Sequence, residues 1–72
     1  MISSGDMIRI LQKAGFVSIR QKGSHQFFKH PDGRTTVIPV HPGEDLGRGL
    51  LRAILRDIKM TPESFLEALQ KN

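Results

Sequence analysis

Apolar residues recur at helical spacing near both ends of the chain and give way to β-rich, alternating sequence between them. Met7, Ile10, Leu11 and Ala14 fall three and four apart, the spacing that lines one side of a helix. Ser3, with Asp6 three residues on, has the reciprocal capping pattern that opens a helix, and Gly15 readily takes the left-handed backbone where one ends. From Phe16 to His30 β-branched and aromatic residues dominate, interrupted at Lys22 and Gly23, which predicts two short strands and a tight turn. Pro31, Asp32 and Gly33 mark a second turn. Thr35 to Val40 then reads as a third strand; Pro39, which cannot donate to a ladder, either places it at an edge or marks the end of its pairing. Leu50, Leu51, Ile54, Leu55 and Ile58 form the strongest apolar stripe, with Arg48, Arg52 and Arg56 at i+4 steps on another face. Thr61 and Pro62 open a short final helix carrying Phe65, Leu66 and Leu69 on one side.

This order predicts an α+β fold in which residues 1–72 form one domain: a three-stranded antiparallel sheet with the helices collected on one face. The double-stranded RNA-binding domain has the same helix, three-strand, helix order, although a shared fold does not establish a shared function. With Asp32-Gly33 as a two-residue loop, Phe28 pairs with Val37; with Lys22-Gly23 as the other, Arg20 pairs with His25. That register expects Val17, Ile19, Phe28 and Val37 on the core face. It expects Ser18, Arg20, His25, Phe27, Lys29, Thr36, Ile38 and Val40 on the opposite face, a working surface unless its apolar residues merely fill β-favourable positions or the short last helix folds across them.

Composition narrows the function classes. A 72-residue chain buries only about 60% of the surface its unfolded form exposes, so the core is thin. Cysteine is absent, which excludes disulfides and thiolate-bound zinc and fits a reducing cytoplasm. The longest apolar run, Ala53 to Leu55, is far short of the roughly 20 residues that span a membrane. Met1 to Asp6 carry no positive charge and do not read as a secretory signal. Eleven Lys and Arg against seven Asp and Glu leave a net charge of +4, which favours a polyanionic partner such as nucleic acid over no such partner.

His25 is the candidate catalyst. An imidazole with a reference pKa near 6.5 exists in both protonation states at neutral pH, as proton transfer requires. RNA carries its own nucleophile, the 2′-hydroxyl beside each phosphorus, so one base plus neighbouring cations can suffice for cleavage. By spacing alone, however, an isolated strand histidine is more often structural or simply exposed. Arg20 and Lys29 supply cations on the same expected face, and the small residues of Lys22-Gly23-Ser24 let a phosphate approach the backbone. His25 and His30 lie five apart on one strand and point to opposite faces, so no three-histidine metal site is expected, and no other cofactor is indicated.

The run Lys22-Gly23-Ser24-His25, followed by Phe27 or Phe28, Lys29, His30, Pro31 and Gly33, resembles the signature hairpin of the HicA toxin family. Asp6, Ile8, Leu11, Gly15 and Phe16 upstream, and Val37, Ile38, Pro39, His41 and the stretch from Leu51 to Arg56 downstream, extend the resemblance over nearly the whole chain. It implies a metal-independent endoribonuclease that cleaves messenger RNA through His25, folds like a double-stranded RNA-binding domain and is neutralised by a HicB-type antitoxin. Given such a substrate and partner, the derived register and the first turn make Arg20, Lys22, Gly23, Ser24 and Lys29 the expected RNA contacts, and Phe27, Ile38 and Val40 the expected apolar anchors for the antitoxin. Leu50 departs from the family, which often carries a hydroxyl residue there. The rival readings are a non-catalytic double-stranded RNA-binding module of the same fold, and a protein-interaction domain whose charge serves only solubility.

Overall fold

A computed structural model describes residues 2–71 as α1 (Ser4–Lys13), β1 (Val17–Lys22), β2 (His25–Lys29), β3 (Thr35–Pro39), α2 (Arg48–Asp57) and α3 (Pro62–Lys71). The α+β architecture expected from the sequence is the one observed, with an antiparallel sheet in the order β1-β2-β3. The capping box forms: Asp6 N–H donates to Ser3 Oγ (3.1 Å) and Ser3 N–H to the Asp6 carboxylate (3.3 Å). The hydrogen bond from the Ser3 backbone, with those from the Ser3 hydroxyl and Arg9, holds the Asp6 carboxyl below the usual carboxylate range.

Gly15, at φ +99°, turns the chain out of α1, and the His30 ring packs directly over it. His30 also meets the buried Phe16 ring edge-on at 5.1 Å, while the Arg34 guanidinium lies over the same ring at 5.0 Å and donates to the Ile58 carbonyl. This cluster ties the exit of α1 to the second hairpin and the end of α2. Thr36 adds a second link by donating its hydroxyl to Asp57 Oδ2 (3.1 Å). The core lies between one sheet face and the helices: Phe28 and Ile38 from the sheet, Met7, Ile10 and Leu11 from α1, Ile54 and Ile58 around α2, and Phe65 from α3. Thr61 Oγ1 accepts from Ser64 N–H at the start of α3, as its capping role requires, and α3 packs against α1 rather than across the far sheet face. At ten residues α3 is as long as the other two helices rather than short.

Two turns and one bulge set the register, and each corrects the sequence reading. Gly33 N–H donates to the His30 carbonyl and His30 N–H to the Arg34 carbonyl (both 2.9 Å), with Gly33 at φ +102°. This is a three-residue loop, a turn followed by a left-handed glycine, instead of a two-residue Asp-Gly loop. The reason is Pro31: its ring fixes a negative φ that suits the first central position of an ordinary turn. The added residue inverts β3. Phe28 pairs with Thr36, not Val37, so Ile38 is fully buried and Thr36 nearly so, whereas Val37 lies on the other face. Ile38 therefore cannot serve as an exposed anchor for a partner, and Val40, half-buried just beyond β3, follows Ile38 in alternation.

In the first hairpin the loop is Gly23-Ser24, so His25 pairs with Lys22 rather than with Arg20. Gly23 carries the positive φ (+59°) at the first loop position, where a type II′ turn needs glycine. A bulge between Ser18 and Arg20 then reverses the facing of β1: Ser18 pairs with Phe28 on the helix side, and Arg20 pairs with Phe27 on the far side. The expected core residues Val17 and Ile19 are consequently 58% and 56% exposed.

Candidate active site on the open sheet face

Alternation on the central strand β2 puts Phe28 on the core and His25, Phe27 and Lys29 on the face without helices. The pairing then arranges that face as three rungs. The first is Lys22, His25 and Pro39; the second Arg20, Phe27 and Val37; the third Val17, Lys29 and Thr35. Directly opposed residues in an antiparallel pair have Cβ atoms about 4.5–5.5 Å apart, and successive rungs on one face lie about 7 Å apart. His25 thus has Lys22 as its immediate cross-strand neighbour and Phe27 one rung away.

Phe27 is half-buried, and the guanidinium carbon of Arg20 stands 4.9 Å from its ring centroid, a cation–π contact. Gly23 and Ser24 close the hairpin beside His25, and Ser24 is held by Val40, whose N–H donates to the Ser24 carbonyl (2.6 Å). Gly23 has open space where a side chain would project, so the backbone there is accessible to a ligand. On the helix side, Gln26 Nε2 donates to Ser18 Oγ (3.0 Å), which braces β1 against β2 behind the site.

The structure therefore brings five of the sequence-derived site residues, Arg20, Lys22, His25, Phe27 and Lys29, to one surface, with Gly23 and Ser24 at its edge. It removes Ile38 from that surface and adds Val37 and Pro39, which the sequence reading assigned to the core and to a strand end. The alternating pattern of β3 contained the signal for Val37, but reading it required the loop length. His30 is engaged in the Phe16 cluster, and its Nδ1 accepts from Asp32 N–H (3.1 Å); His41 is exposed in the loop after β3. Among the described residues no three His, Asp or Glu side chains gather in a group able to hold a metal ion. No helix there is long and apolar enough to cross a membrane.

Residues 4–60, more than three-quarters of the chain, match the family described as the HicA toxin of bacterial toxin-antitoxin. The chain belongs to the HicA toxin family. The match spans α1 through α2, so it contains every residue of the open face and leaves α3 outside. Membership assigns the chain the toxin side of a toxin–antitoxin pair. No individually curated protein matches closely enough to count as a relative.

Proposed function

We propose that this toxin is a metal-independent endoribonuclease acting on messenger RNA, with His25 as its catalytic residue and a HicB-type antitoxin as its inhibitor. The observation that carries the reading is the uncovered rung on which His25 stands opposite Lys22, beside a rung bearing Arg20. Neutral His25 takes the proton of the RNA 2′-hydroxyl. The 2′-oxygen bonds to the adjacent phosphorus, the bond from phosphorus to the 5′-oxygen breaks, and that oxygen takes a proton from solvent. The products are a 2′,3′-cyclic phosphate and a free 5′-hydroxyl. Lys22 and Lys29, with the backbone at Gly23 and Ser24, hold phosphates, and the cations offset the negative charge that develops on the phosphoryl oxygens. No group in this scheme is a metal; the nucleophile comes from the substrate and the base from the protein.

Replacing His25 by Ala tests the assignment. The side chain is exposed, so the variant keeps the wild-type melting profile while losing growth arrest and RNA cleavage. A folded His25→Ala protein that cut RNA at the wild-type rate would refute it. Cleavage should also persist in excess chelator; activity lost there and restored by a divalent ion would refute the metal-free scheme. The antitoxin is proposed to cover the same face, with Phe27 and Val37 as its apolar anchors.

A further inference from the structure

The pairing of Arg20 with Phe27 has no part in the proton transfer just described, yet it occupies the centre of the open face, one rung from His25. An arginine fixed over an aromatic ring is held with its guanidinium plane displayed, and such a plane stacks on a nucleobase as an aromatic ring does. We propose that Arg20, supported by Phe27, is a stacking platform for an unpaired base, so that the toxin takes single-stranded RNA and not duplex. The proposal rests on the reading that His25 cleaves RNA.

Three observations converge on it. Phe27 belongs to the central strand and is flanked by Arg20 and Val37, so its ring is anchored beneath the guanidinium that lies over it. The platform lies about 7 Å along β2 from His25, about the distance from a base to a neighbouring phosphate, so a stacked base carries the adjoining phosphate to the histidine. Lys22 and Lys29 bracket the platform on the first and third rungs, which gives the backbone a cation on either side.

The chemistry excludes a paired substrate at the same place. A base inside a duplex is covered on both faces by its neighbours and has none to offer Arg20. The A-form backbone also holds the 2′-oxygen away from the line of the bond to the 5′-oxygen, whereas an unpaired nucleotide can rotate into line. A sheet face bearing an aromatic and cations is the arrangement by which single strands are read, in contrast to duplex recognition by shape across grooves.

The test measures binding of two uncleavable RNAs of the same sequence, a 2′-O-methyl single strand and its perfect duplex, by fluorescence anisotropy. The wild type should bind the single strand at least about tenfold more tightly than the duplex. Arg20→Lys keeps the charge and removes the plane. It should weaken single-strand binding by about 5- to 100-fold, the range expected for one stacked base, and leave duplex binding unchanged. Equal or tighter duplex binding by the wild type, or single-strand binding by Arg20→Lys at the wild-type level, overturns the platform. Cleavage of the unmodified single strand, run alongside with wild type and His25→Ala, separates the two ideas. Loss on His25→Ala without any stacking preference overturns the platform alone. Failure of the wild type to cleave overturns the His25 assignment and leaves the binding data to judge Arg20.

Discussion

The placement of the site depends on the facing of β3, and a pair of substitutions one residue apart measures it. Ile38 is fully buried between the sheet and the helices, whereas Val37 is half-exposed on the far face. Truncating a buried Ile to Ala costs about 2–5 kcal/mol, because packing and burial are both lost. Val37→Ala removes two partly exposed methyl groups and costs about 1 kcal/mol. A chain of 72 residues has a total stability of roughly 4–11 kcal/mol. At about 4–8 °C per kcal/mol for a domain of this size, a central loss of about 3 kcal/mol lowers the melting temperature by roughly 12–24 °C in Ile38→Ala. The Val37→Ala change stays within about 8 °C. Circular dichroism melts at one protein concentration read both. Ile38→Val, at about 0.5–1.5 kcal/mol, gives a milder comparison should the alanine variant not fold. If Val37→Ala proved the more damaging change, β3 would face the other way and Val37 would leave the open surface.

Other consequences of the structure are equally direct. Gly15→Ala should cost at least about 1–2 kcal/mol, because a Cβ at φ +99° would stand 3.0 Å from His30 Nε2; a melting temperature within 2 °C of wild type, a threshold of about the assay's error, would refute that packing. Asp6 and Asp32 are both held below the ordinary carboxylate range, Asp32 chiefly by the backbone N–H of Arg34 and then by its side chain. Each therefore contributes stability that is complete above the unfolded carboxylate value near 3.9 and is lost as pH falls through the depressed folded value. Melts from about pH 5 downward should show the decline, and Asp6→Ala should make it shallower. Phe27→Ser combined with Val37→Ser should weaken antitoxin binding far more than Arg56→Ser on the helical side; calorimetry showing equal losses would place the antitoxin elsewhere.

The sequence was most legible where a local signal and a long-range one agreed. Ser3 and Asp6 announced the start of α1, Thr61 and Pro62 that of α3, and both caps form. The facing expected for β2, with Phe28 on the core side and His25, Phe27 and Lys29 opposite, is the one observed, although the two loop lengths from which it was read are not. The edge strands were less legible because their facing depends on single residues in loops and bulges. Pro31 converts a two-residue loop into a three-residue one, and that alone moves Ile38 from the surface to the core. The bulge in β1 has no marker in the sequence: neither glycine nor proline lies between Ser18 and Arg20. Five of the expected site residues still share the open face because His25, Phe27 and Lys29 all belong to β2, and because the bulge left Arg20 and Lys22 on the open side.

A chain this small builds two layers, and the face left over is the face available for function. Helices α1, α2 and α3 all serve the core side of the sheet, so a protein seated on the other side adds a third layer to a thin one. On the proposed occlusion, the antitoxin binds only folded toxin and stabilises it by mass action, by about 2.7 kcal/mol when present at 100 times its dissociation constant. That is close to the loss expected for Ile38→Ala, so the antitoxin should restore much of this variant's melting temperature. The Val37→Ser variant should behave in the opposite way, losing little stability alone and gaining much less from the antitoxin, because its missing side chain is an anchor and not core. Melts of each toxin variant with increasing antitoxin distinguish the two. Equal stabilisation of both variants would mean that the antitoxin does not rest on the face that carries His25.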